Sequence, residues 1–154
     1  MQIRNSVKAI IIKEEKILLT KNRDHEGDFY LCPGGGQEHG ETFHETLLRE
    51  CMEEIGNKVE IGELSHIREY IGKNHEHSAI DVNVHQVEYY FACQLYETER
   101  MSFHPSNPDQ HQIGIEWIPV NDLLQYRLYP KELRKYIIRH LNGEKTPIYL
   151  GDVN

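Results

Sequence analysis

Glu50, Glu53 and Glu54 stand three and four residues apart within residues 35–56, GGQEHGETFHETLLRECMEEIG. On a helix, that spacing lines three carboxylates along one flank. Two carboxylates about 5 Å apart repel by roughly 3 kcal/mol at an effective dielectric near 20. Such a flank suits a hard divalent cation; without one, at least one acid keeps its proton more tightly. A divalent ion beside a tight turn fits the cleavage of phosphate anhydrides, because it bridges phosphate oxygens and acidifies water. The plain alternative is a solvated acidic face of an amphipathic helix.

The surrounding sequence supplies the elements that must position these acids. Thr42 and Glu45 form an S/T-x-x-E capping pattern that starts the helix, and Gly56 with Asn57 ends it. Leu47, Leu48, Cys51 and Ile55 read as its core side. Before it, a short strand at 29–32 stops at Pro33. Gly34, Gly35 and Gly36 then read as a stretch that turns sharply and lets a ligand approach. Residues 7–13 and 16–20 predict a hairpin about Glu14 and Glu15, followed by a loop over 22–28. Beyond the helix, 58–70 reads as extended and 75–78 as a polar loop. Residues 82–95 carry the strongest strand signal, and 102–110 a proline-bearing loop. A strand spans 113–118 around Trp117, a core anchor. Pro130 opens a last helix with the apolar stripe Leu133, Ile137, Leu141. The tail, 147–154, has no clear pattern. Strands and two helices in mixed order predict an α/β or α+β sandwich.

Gly35, Glu41, Arg49, Glu50, Glu53, Glu54 and Gly56, with Cys51 in an apolar slot, spell G-x5-E-x7-R-E-U-x-E-E-x-G. This resembles the signature of the Nudix hydrolases, the MutT-like family. Asn57 departs from it where an aliphatic residue is usual, a packing position. The resemblance implies a Nudix-type α/β/α sandwich, a mixed sheet between helices, as one domain over 1–154. It implies hydrolysis of a nucleoside diphosphate linked to another group, with Mg²⁺ or Mn²⁺. Glu53 and Glu54 would then hold the metal, with the carbonyl of Gly34 or Gly35. Glu50 would be the general base or a further ligand. Glu41 would support the ligands from the helix N-terminus, and Arg49 would orient a carboxylate. Markers for ADP-ribose and for dinucleoside polyphosphates fall on Lys73 and His75 and are missing. A nucleoside triphosphate is therefore the first substrate expected. ADP-ribose or another nucleotide sugar is second, and a non-catalytic nucleotide sensor of the same fold is the rival class.

Other residues narrow the reading. Acids exceed bases by 25 − 17 = 8, giving a net charge of −8. That balance disfavours a nucleic-acid polymer as partner and leaves a small nucleotide substrate. Lys21 and Arg23 are candidates to meet its phosphates, with exposed surface charge as the alternative. Tyr70, Tyr89, Tyr90 and Phe91 are candidates to stack a base, with core packing favoured. Glu88, Glu97, Glu99, Asp109 and Glu116 are candidate metal ligands outside the helix. His75, His77 and His85 match no zinc spacing and read as loop residues. The odd set Cys32, Cys51 and Cys93 reads as reduced core residues, which points to the cytoplasm. No segment reaches the length of a membrane span or resembles a secretory leader. Oligomeric state is open, a homodimer included.

Overall fold

The computed structural model describes residues 1–96 and 103–154. Eight strands form one mixed sheet. They are β1 (Arg4–Lys13), β2 (Lys16–Asp24), β3 (Gly27–Leu31), β4 (Gly34–Gly36), β5 (Val59–Ile71), β6 (His85–Leu95), β7 (Gln112–Pro119) and β8 (Tyr149–Asp152). The main order is β3-β2-β1-β6-β5-β8, with β4 paired to β1 and β7 to β2. β1 runs parallel to β6 and antiparallel to β2 and β4.

The helices are α1 (Phe43–Ile55), a single turn α2 (Ser78–Asp81) and α3 (Leu133–Leu141). Among the described residues, no helix is long and apolar enough to cross a membrane. Strand alternation on β1 divides the core. Val7, Ala9 and Ile11 pack with Leu47, Cys51 and Ile55 of α1. Ile10 packs with Leu133 and Ile137 of α3, together with Ile17, Leu19 and Tyr90. Each fully buried Leu or Ile contributes roughly 1.5–3 kcal/mol, so these two clusters fix α1 and α3 on the sheet. The α/β/α sandwich expected from the sequence is the fold observed.

The hairpin turn falls on Glu14 and Glu15, both at positive φ (52° and 63°), as a two-residue primed turn needs. Several expectations are corrected. The loop at 22–28 shrinks to His25 and Glu26, because β2 and β3 zip together through the pair Arg23–Asp28. The three glycines do not turn; they form β4, with Ser6 opposite Gly36 and Lys8 opposite Gly34. Leu48 is exposed rather than core. The final helix begins at Leu133, and Pro130 lies in the turn before it. The tail that showed no pattern supplies β8, parallel to β5.

Candidate active site

α1 begins where the sequence places it. Thr42 accepts from the Glu45 N–H at 3.1 Å, and the Glu45 carboxylate returns to the Thr42 N–H. Gly56 closes the helix at φ 64°. Past that end, the backbone N–H of Asn107 donates to the Glu53 carbonyl at 2.9 Å, and Gln112 Nε2 donates to the Glu54 carbonyl at 2.9 Å. The last turn, which carries the acids, is thus tied to the chain before β7.

Arg49 is the hub of the acidic flank. Its Nε donates to Glu41 Oε2 at 2.8 Å, its Nη1 to Glu50 Oε1 at 2.9 Å, and its Nη2 to the Gly36 carbonyl at 3.0 Å. Glu53 lies 3.5 Å from the same guanidinium. The Arg49 bonds, helped by the Glu38 N–H, hold the Glu41 carboxyl down at about 2. Arg49 thus bonds two carboxylates and one backbone carbonyl at once.

β4 meets the acids through its backbone. Pro33 and Gln37 bond inward to β1, which leaves the N–H and carbonyl of Gly34 on the free edge. The Gly34 N–H donates to Glu54 Oε1 at 2.9 Å, and Lys8 Nζ donates to the Gly34 carbonyl at 3.4 Å. Gly34 must be glycine, and Gly35 lets the Glu50 carboxyl approach closely. A β-carbon on Gly34, whose φ is 143°, would fall 2.0 Å from the Val7 carbonyl oxygen; one on Gly35 would fall 2.5 Å from the Glu50 carboxyl carbon.

Glu54 is 3% exposed. Burial pushes its carboxyl up to about 7, against the opposing Lys8 ammonium and Gly34 N–H. Burial also raises Glu50, against Arg49. These oxygens fit a hard divalent cation in kind: carboxylates and one carbonyl, with no thiolate or imidazole among them. Among the described residues, no three His, Cys, Asp or Glu side chains converge into a cage by themselves. Arg49 accounts for this, since it draws Glu50 and Glu53 toward its own nitrogens.

The candidates outside the helix separate. Glu88 is buried, and its oxygens take bonds from Arg68, Tyr90 and Gln86 at 2.5–2.6 Å. Burial alone would raise Glu88, but the charges of Arg68 and then Lys8 outweigh it and hold the acid at about 2. Those bonds occupy Glu88 structurally. Glu116 sits opposite Leu19 in the β2–β7 ladder. Asp109 is exposed, and its charge helps raise Glu54. Glu97 and Glu99 lie outside the described residues.

Lys21 and Arg23 are not gathered to the acids. Both pair with Asp28, at 3.6 and 2.8 Å. By alternation they share the side of β2 that bears Leu19, which packs toward α3. Tyr90 and Phe91 are buried, and Tyr89 packs on Phe43 at 4.3 Å. His75 bonds Asp152 at 2.6 Å, which fastens β8 to the chain after β5. Sequence reasoning missed Lys8, because only the β1–β4 register brings it to Gly34.

The family model described as NUDIX domain matches residues 2–140. An RNA pyrophosphohydrolase of Helicobacter pylori (strain ATCC 700392 / 26695) is 30% identical over 92% of this chain and 94% of its own length. An RNA pyrophosphohydrolase of Gluconobacter oxydans (strain 621H) is 38% identical over 32% of this chain; the chain spans 29% of that relative's length. A MutT NUDIX hydrolase structure from Burkholderia pseudomallei superposes with TM-score 0.70 at 22% identity, covering 90% of this chain and 99% of the other.

Proposed function

The chain belongs to the NUDIX family, and from that premise we propose that it is a Mg²⁺- or Mn²⁺-dependent pyrophosphohydrolase acting first on a nucleoside triphosphate. The observation that carries this is the buried Glu54 carboxyl bonded to the Gly34 N–H, beside Glu50 and Glu53 on one flank of α1. A carboxyl held near 7 in a folded protein is an acid kept for a cation or a proton.

Glu53, Glu54 and the Gly34 carbonyl would hold the metal, with Glu50 near. When bound, the ion neutralises phosphate charge and acidifies water. Glu50 takes the proton from the attacking water. Arg49 aims the Glu50 carboxylate, and its bonds to Glu41 and Gly36 leave it no freedom to clamp substrate. Glu41 acts through Arg49. The water attacks one phosphorus of the anhydride, and the bridging oxygen leaves with the other phosphate. Asp109, near Glu54, is the outside acid best situated to assist.

The free, buried cysteines Cys32, Cys51 and Cys93 support a reducing compartment, and we assign the cytoplasm. Residues 1–154 are taken to act as one domain, since β1 and β8 both join the central sheet.

A second reading has its own support: the Helicobacter pylori relative, matched over nearly its full length, is named an RNA pyrophosphohydrolase. The net charge of −8 argues for the free nucleotide over the polymer. A panel decides: GTP and the other nucleoside triphosphates, ADP-ribose, diadenosine tetraphosphate, coenzyme A and a 5′-triphosphorylated RNA oligonucleotide, each with Mg²⁺ or Mn²⁺. Rapid release of pyrophosphate from the free triphosphates is expected. Faster release from the RNA would select the second reading. No metal-dependent cleavage of any member would leave the sensor as the reading.

A further inference from the structure

Every side chain so far given a catalytic or metal-holding role is acidic except Arg49, and Arg49 is fully engaged. A polyphosphate entering such a flank meets repulsion that one divalent ion does not fully offset. The structure supplies cations from an unexpected element. β1 carries Arg4, Ser6 and Lys8 on one face, by alternation, alongside the glycine strand β4.

Lys8 lies opposite Gly34 and reaches its carbonyl at 3.4 Å. The same glycine donates its N–H to Glu54. The lysine head therefore comes round the free edge of β4 to the point where α1 presents its most buried acid. Arg4 stands at the other end of β4: a β-carbon on Gly36 would fall 2.2 Å from Arg4 Nη2. The two cationic heads thus flank the ends of a three-residue strand, a span of about 7 Å. Among the described residues, neither Lys8 nor Arg4 forms an ion pair, whereas Lys21, Arg23, Arg49, Arg68 and Arg127 all do.

We propose that Lys8 and Arg4 are substrate-positioning residues of this site: Lys8 takes an oxygen of the phosphate held beside Glu54, and Arg4 takes an oxygen farther along the phosphate chain. The inference rests on the pyrophosphohydrolase reading and adds the wall that receives the anion. It moves the phosphate contacts from Lys21 and Arg23 to β1. Arg4 also explains why β4 ends in glycine, since a side chain on Gly36 would fill the space the Arg4 guanidinium takes.

The test compares wild type with Lys8→Met, Lys8→Arg and Arg4→Gln. Steady-state kinetics use whichever of GTP, ADP-ribose and diadenosine tetraphosphate the wild type cleaves fastest. Melting with inorganic pyrophosphate and Mg²⁺ gives a second readout that needs no turnover. Losing one charge-assisted bond to phosphate should raise KM roughly tenfold or more in Lys8→Met and Arg4→Gln, and shrink the pyrophosphate-induced rise in melting temperature. Lys8→Arg should recover most of both effects. An active wild type with KM unchanged in Lys8→Met overturns the proposal while sparing the hydrolase. So does a Lys8→Arg no better than Lys8→Met. A wild type that cleaves no member of the full substrate panel, the RNA included, fails the hydrolase reading. Lys8 then stands or falls on the pyrophosphate shift alone, and a shift equal in all four proteins ends it.

Discussion

Gly34 donates its backbone N–H to Glu54 Oε1 at 2.9 Å, and that single bond fastens the most buried acid of α1 to the edge of the sheet. The bond favours the carboxylate, but burial wins and the group sits at about 7 instead of 4.5. The sign follows. Between pH 4.5 and 7, the folded chain retains a proton that the unfolded chain releases, so stability falls as pH rises through that window. Glu54→Gln mimics the protonated form at every pH. Without metal, the variant should be more stable than wild type by about 1–3 kcal/mol at pH 8, with the difference vanishing near pH 4.5. Turnover should be lost. Thermal melts in EDTA at both pH values check the first statement. Equal melting at pH 8 would show that burial does not strain this carboxylate.

Metal should act through the same flank by mass action. At a free Mg²⁺ or Mn²⁺ concentration 100 times Kd, a specific site adds about 2.7 kcal/mol to stability. Glu53→Gln should erase most of that gain and abolish turnover while leaving the EDTA melt close to wild type, because the Glu53 carboxylate is partly exposed and, among the described residues, its one ion pair is with Arg49 at 3.5 Å. Melting titrations with each ion measure the gain. A full metal response with near wild-type activity in Glu53→Gln would remove it from the ligand set.

Gly35 offers a test of position without touching charge. An added β-carbon would land 2.5 Å from the Glu50 carboxyl carbon, the movable end of a side chain. Gly35→Ala should therefore cost little stability, within about 1 kcal/mol, yet displace Glu50 from its bond to Arg49. A drop in kcat of roughly 100-fold or more is expected, the scale of a positioned general base. Unchanged kcat would mean that Glu50 does not take the proton.

The bounds of the helix were legible because its signals are local: the Thr42–Glu45 box, the 3–4 spacing of the acids and Gly56 all act within a few residues; its core face was legible except at Leu48. Glu41 and Arg49 were legible for the same reason, since one turn of chain and a helix bring them together. What the sequence hid depends on register. Gly34–Gly36 read as a turn because glycine permits one; only pairing with β1 makes them a strand, and only that pairing carries Lys8 to the site. Lys21 and Arg23 looked suited by nearness in sequence, but the β2–β3 register sets Asp28 beside both and pairs them with it. β8 was illegible because a four-residue strand has little pattern of its own; Asp152 bonds to Ile71, Asn74 and His75 fasten it.

Gly56 ends the acidic turn against the chain before β7, and its place is strained for any other residue on two counts. Its φ is 64°, and a β-carbon would fall 2.1 Å from the His104 backbone oxygen. Gly143 offers a control, with φ at 80° and nothing within 4 Å of the added atom. Gly143→Ala should cost only the left-handed backbone, about 1–2 kcal/mol. Gly56→Ala should cost that and more, by at least about 1 kcal/mol, because backbone must move. The movement would pull Ser106 and Asn107 from the Met52 and Glu53 carbonyls and loosen the turn that aims Glu53 and Glu54. Urea unfolding of both variants, with kcat measured well below the transition, checks the pair. If Gly56→Ala matches Gly143→Ala in both stability and activity, the segment at 104–107 does not brace the acids.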